Sequence, residues 1–213
     1  METLEQIKAR VEAALPQTRL QLLVNETVTA QNSLLVDSAS AAEVFRFLRD
    51  DSQLRLDYLS NLTGVDWPEV MTKEKVKVKR VVDGVEQEIE ETVEKKKGGY
   101  LEVVYHLYSM SLKHGPLILR QRTENRADKT NIVSITSIYR AAEFQEREVF
   151  DLYGVVFDGH PDLRRILMWE GFTDFPMRKD YQEPDDYEWE PTPHDEVLEK
   201  TKQHYPAVHG TPA

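Results

Sequence analysis

The strongest constraint on this chain's fold is a pair of β-rich stretches joined by a very short link. "GYLEVVYHLYSM" (99–110) and "GPLILRQRTE" (115–124) are dense in β-branched and aromatic residues, and only "SLKHG" connects them. A link of that length suits antiparallel neighbours, because parallel strands need a long crossover. These two are the expected core strands. "RLQLLVNETVTAQNSLLVD" (19–37) adds two or three short strands, and "RLDYLSNLTGVDW" (55–67) leads into another.

Three helices are expected around them. Leu4, Ile7, Val11 and Leu15 recur with helical spacing up to Pro16. "SAAE" at 40–43 reads as a capping box, so a second helix should begin near Ser40, with Val44, Phe45, Phe47 and Leu48 on its buried side. A third should run from Ser137 to Tyr153 and stop at Gly154. The elements make an α+β domain over 1–181.

Residues 71–97 differ in character. Asp83-Gly84 favours a two-residue hairpin turn, which would place Val78 opposite Ile89 and Val82 opposite Val85. Lys79 would then meet Glu88, and Lys77 would meet Glu90. The segment reads as an inserted, projecting charged β-hairpin, or else as a charged loop. From 182 to 213 the chain is acidic and proline-rich with scattered aromatics, an extended C-terminal tail expected to lie along a surface.

Composition excludes several functions. The net charge of −11 argues against nucleic-acid or anionic-membrane binding. With no cysteine there is no disulfide, thiolate nucleophile, Cys-type zinc site or ordinary iron–sulfur ligand set. No apolar run is long enough to span a bilayer, and the start lacks a signal-peptide pattern, so a bacterial cytoplasmic setting is expected.

"EREVFDLYGVVFDGHPDLRRILM" (146–168) concentrates the charged residues. Glu143, Arg147 and Asp151 are four apart and should form an ion-pair ladder on a helix face. Glu146 instead shares the apolar stripe of Ala142, Val149, Phe150 and Tyr153. A carboxylate there needs a partner: Arg164, Arg165, Arg178 or a second chain. Glu148 points to another side, which argues against joint metal binding with Glu146, and His160 and Asp162 fit no ligand spacing. His160, beside Pro161, reads as a structural loop residue. Nucleotide-binding and nucleophile-elbow motifs are absent. No catalytic, cofactor-binding or metal-ligating residue is assigned.

The run from Glu146-Arg147-Glu148 through Asp151-Leu152-Tyr153-Gly154 and His160-Pro161-Asp162-Leu163-Arg164-Arg165 to Pro176-Met177-Arg178-Lys179-Asp180-Tyr181 resembles the signature of the 30-kDa subunit of respiratory complex I. "EVVYHLYS" (102–109) is similar to that family's central strand. The resemblance implies an antiparallel-rich mixed sheet with packed helices and a subunit with no cofactor of its own. FMN, iron–sulfur clusters and quinone would belong to partner subunits. It also implies docking on the 49-kDa-type subunit and other peripheral-arm subunits, on the cytoplasmic side of the bacterial inner membrane, with indirect membrane association. Glu146, Arg147, Glu148, Asp151, His160, Asp162, Arg164, Arg165, Arg178, Lys179 and Asp180 are its candidate interface or structural residues. The same signature occurs in subunits of membrane-bound hydrogenases and of quinone reductases fed by other donors, which is the alternative reading.

Overall fold

The computed structural model describes residues 2–27, 31–82, 85–169 and 171–182, with the backbone alone over 73–95. The Asp83-Gly84 turn and the tail from residue 183 lie outside the described residues.

Helix α1 (Leu4–Ala14) opens on a capping box, in which the Thr3 hydroxyl accepts from Gln6 N–H and the Gln6 side chain accepts from Thr3 N–H. Strands β1 (Leu20–Leu23) and β2 (Ser33–Val36) pair antiparallel. Helix α2 (Ser38–Asp50) begins before the expected Ser40. Asp37 is its N-cap and accepts from Ala39 N–H, while Ser40 lies inside the first turn and donates its hydroxyl to Asp37 O. The capping-box reading of Ser40 is therefore corrected: an aspartate stands at the start of the helix and takes the cap. Glu43 bonds instead to the Gln17 amide.

Strands β3 (Tyr58–Trp67), β6 (Tyr100–Ser109) and β7 (His114–Arg122) complete a five-stranded sheet ordered β1-β2-β7-β6-β3. Within it β2 runs parallel to β7 and the other pairs are antiparallel, the mixed, antiparallel-rich sheet expected. Alternation along β6 and β7 sends Leu101, Val103, Tyr105, Leu107, Leu117 and Leu119 into the core. Phe45 of α2 meets Tyr105 edge-on, with ring centroids 4.8 Å apart.

Strands β4 (Val70–Val82) and β5 (Val85–Lys97) form a separate two-stranded arm. Val78 pairs with Ile89, Lys79 with Glu88, Lys77 with Glu90 and Val82 with Val85, the register read from the sequence. Trp67 pairs with Tyr100, and three residues further along each strand Val70 pairs with Lys97. The arm thus continues the β3–β6 ladder without gaining or losing a residue.

Short strands β8 (Asn131–Val133) and β9 (Val156–Asp158) pair parallel on either side of α3 (Ala142–Tyr153). That helix starts five residues later than expected. Residues 135–142 form successive turns, with Tyr139 N–H donating to Ile135 O and Ala142 N–H to Tyr139 O. Ile135 and Tyr139 are buried, and the Tyr139 hydroxyl donates to Leu56 O at 2.7 Å. Core anchoring of these two side chains outweighs a continuous helix. α3 rests on β3, where the Gln145 side-chain oxygen accepts from Leu62 N–H.

Candidate functional site

The described residues of 159–169 and 171–182 form a strap laid over the C-terminus of α3. The last carbonyls of a helix lack intrahelical donors, and here the strap supplies them. Asp151 O accepts from Arg165 Nη1 at 3.0 Å, Leu152 O from Met177 N–H at 3.1 Å and Tyr153 O from Arg178 Nε at 2.7 Å. Two of these donors are guanidinium groups, favoured at the negative end of the helix dipole.

Asp151 is fully buried and organises the strap's first half. One of its oxygens accepts from the backbone N–H groups of Ile166, Leu167 and Met168 at 3.0, 2.7 and 3.0 Å. The other takes Arg165 Nη1 at 2.7 Å. Burial alone would raise this carboxyl, but the three N–H donors and Arg165 outweigh it and hold it below the usual range. Arg165 reaches on to Asp174 O and lies over the rings of Phe172 and Phe175.

Gly154 makes the strap's second half possible. It ends α3 at φ 76°, and a Cβ there would lie 2.6 Å from Phe175 Cζ and 2.7 Å from Arg178 Nη2. Gly154→Ala is expected to destabilise the chain by about 1–3 kcal/mol through strain and crowding, measurable by urea unfolding. An unchanged midpoint would contradict this packing. Arg178 continues to Arg126 O at 3.0 Å and lies 4.4 Å from the Phe175 ring centre, and its burial, with Arg126 nearby, lowers its pKa.

Arg126 closes the strap's far end. Its fork binds both oxygens of the buried Asp66 at 2.6 and 2.7 Å and also both oxygens of Asp180. Bonding to Asp66 and Asp180 raises Arg126, and bonding to Arg126 lowers Asp180. Lys179 N–H donates to Asp66 at 2.8 Å, and its ammonium stands 5.6 Å from the Trp67 ring centre. Arg126 crosses the root of the arm where Gly99 leaves space, since a Cβ there would lie 2.5 Å from Arg126 Cδ and 2.9 Å from Trp67 O.

The structure corrects two expectations about α3. Arg147 does not join Glu143 and Asp151 in a ladder. It is buried, donates to Arg164 O and ion-pairs with Asp162 at 3.7 Å, while Asp151 faces the strap. Glu146 is fully buried as expected, yet none of the three arginines is its partner. It accepts from the Ser134 hydroxyl at 2.6 Å and Ile135 N–H at 2.8 Å, and burial, against those two bonds, pushes its pKa up to about 7.

Glu148 lies exposed on the other side of the helix. His160 Nδ1 accepts from Asp162 N–H while Nε2 donates to Glu143 O, so the ring ties the strap's beginning to α3. Arg164 pairs with Asp162 at 3.0 Å and its side chain remains 70% exposed. Leu167, Trp169 and Met177 also face outward along the strap. The site can brace the end of α3 and hold these exposed side chains in place. Among the described residues no three His, Asp or Glu side chains converge to hold a metal ion.

Two buried ionic centres escaped sequence reasoning. One is Asp66–Arg126. The other is Glu102 on β6, bound by Arg120 at 2.7 Å, Arg122 at 2.8 Å and the Trp67 indole N–H at 3.1 Å. Cross-strand register was the available signal for the second, because the short β6–β7 link brings 102 beside 120 and 122.

Residues 34–187 match the family model described as respiratory-chain NADH dehydrogenase, 30 Kd subunit. The chain belongs to this family. As a 30-kDa-family member it is 36% identical over 149 residues to the NADH-quinone oxidoreductase C subunit of Caulobacter vibrioides, covering 70% of this chain and 60% of that one. It is 33% identical over 189 residues to the protein of the same name from Hyphomonas neptunium, covering 88% of this chain and 76% of the other. The chain therefore spans about 60% of the length of the first of these relatives. A chain in the structure of the membrane-bound sulfane sulfur reductase, an archaeal respiratory membrane complex, shares the fold at TM-score 0.55 and 20% identity, covering 98% of this chain and 95% of that one. Of the residues that carry the sequence resemblance, Asp151, His160, Arg165, Arg178 and Asp180 hold the strap by bonds within the chain, while Arg164 and Glu148 are exposed.

Proposed function

We propose that this chain is a non-redox structural subunit in the peripheral arm of a proton-translocating NADH:quinone oxidoreductase. It docks on the 49-kDa-type subunit and supports electron transfer from NADH to quinone without a catalytic centre of its own. The observation that carries this reading is the strap, in a chain of the 30-kDa subunit family. Arg165, Arg178 and Arg126 lock it from inside, and it displays Arg164, Leu167, Trp169 and Met177 outside. A rigid segment with outward apolar residues and an arginine is suited to recognition by another protein.

FMN, iron–sulfur clusters and quinone are assigned to partner chains; for the clusters, a sequence without cysteine supports this. Among the described residues no helix is long and apolar enough to cross a membrane. The chain's place is on the cytoplasmic side of the inner membrane, held there through its neighbours.

Affinity purification of the tagged chain from mildly solubilised native membranes tests this. The expected result is co-purification of a 49-kDa-type subunit with flavin- and cluster-bearing chains. Arg164→Ala should leave the chain folded, since the Arg164 side chain pairs with exposed Asp162, and reduce that recovery. Recovery of the chain alone, from membranes whose respiratory complex is intact, would overturn the proposal.

A further inference from the structure

The sheet's core face is buried under the helices, but its other face has a different character. Val65 and Trp67 on β3, Val104 and His106 on β6, and Ile118 and Arg120 on β7 alternate away from the core, and none belongs to the cluster packed under the helices. An antiparallel sheet that meets water usually presents polar residues there. This one is mixed: Asn61, Thr63 and the large apolar Trp67, 41% exposed, stand out from it, Val65 is half-buried, and Val104, Ile118 and Glu102 lie buried between the strands.

Its charge is unbalanced. Glu102 serves two guanidinium groups, and a shallow groove of about 400 Å³ beside them is lined by exposed Arg19 together with Gln21, Leu35 and Arg122. Asp37, also on the groove, is engaged in capping α2. An arginine-rich face beside an exposed tryptophan, on a chain of net charge −11, is a local exception. Arg120 Nε and His106 Nδ1 are buried on this face without a hydrogen-bond partner among the described residues.

We propose that this face, which carries no helix among the described residues, is a second docking surface, which takes a carboxylate-bearing segment of another subunit of the complex. The inference rests on the subunit reading above. The face runs directly into the strap, because Lys179 stands over Trp67, so a neighbour seated on the strap reaches it. A symmetric contact between two copies would set two arginine-rich centres against each other. The rival occupant is the chain's own acidic tail.

The absence of native cysteine makes a single introduced thiol unique within this chain. Thr63→Cys and Asn61→Cys place one on exposed positions of this face, and Ala9→Cys on exposed α1 serves as control. Maleimide labelling is followed by mass spectrometry on this chain, free and in the complex purified from membranes. At 61 and 63 it is expected to be about tenfold slower in the complex, as for positions inside a closed interface, and unchanged at 9. Gln21→Lys in the complex should be coupled by carbodiimide to a carboxylate of another subunit. Equal labelling in both states overturns the proposal. So does protection already present in the free chain, whether removing 183–213 abolishes it (the tail) or it grows with concentration (a second copy). Failure of the chain to co-purify at all would instead count against the subunit reading.

Discussion

Asp151→Ala is expected to cost the full chain about 3–5 kcal/mol of folding stability, because it strands a largely buried guanidinium and three backbone N–H groups at once. Arg165 would keep only carbonyl acceptors, and Ile166, Leu167 and Met168 would lose the oxygen that turns them around the helix end. Urea unfolding gives the energy. Limited proteolysis within 159–182 gives the location, since release of the strap should precede global unfolding. Asp151→Asn should fall between wild type and alanine, retaining an acceptor but losing the charge. A loss below about 1 kcal/mol on Asp151→Ala would mean that the strap is held elsewhere. The carboxyl is held below its usual range in the folded state. Its contribution is therefore present above the unfolded-state value and disappears as pH falls through the lower folded value.

Glu146 should show the opposite dependence. Its pKa rises from 4.5 to about 7 on burial, so between those values the folded chain retains a proton that the unfolded chain has released. Stability is then full below the lower value and declines as pH rises towards the upper one. Glu146→Gln cannot titrate, so its stability relative to wild type should improve by about 2–3 kcal/mol between pH 5 and pH 8. Urea midpoints of both proteins at the two pH values measure this directly. A difference that stays constant with pH would show that Glu146 remains ionised in the fold.

Local patterns made much of the fold legible in the sequence itself. The "SLKHG" link implied the β6–β7 pair, Asp83-Gly84 implied the arm's register, and Gly154 marked the end of α3. Helix starts were read less well, because the deciding influence was tertiary at Tyr139 and a matter of neighbouring caps at Asp37. The site divides along the same line. That Glu146 is buried followed from its stripe, but its donors come from Ser134 and Ile135, in a turn whose position helical spacing does not specify. Spacing likewise suggested that Arg147 and Asp151 would face each other. A strap that returns over the helix end offered each of them a better partner. Asp66 and Arg126 lie 60 residues apart, and only the assembled hairpin root brings them together.

The continuity of the arm with the β3–β6 pair has a consequence for how such a chain can vary. Reach can be adjusted like a telescoping mast, but only in balanced increments. Two residues removed from each side of the arm leave Trp67 facing Tyr100 and the body untouched. One residue removed from β5 alone puts the ladders out of step, and the junction at Pro68-Glu69 and Gly98-Gly99 has little slack to absorb it because Arg126 already fills that space. The slip would then pass into β6, exchanging the sides taken by Glu102 and Tyr105. Relatives with shorter or longer arms are accordingly expected to differ by even numbers of residues across this hairpin, divided equally between its strands.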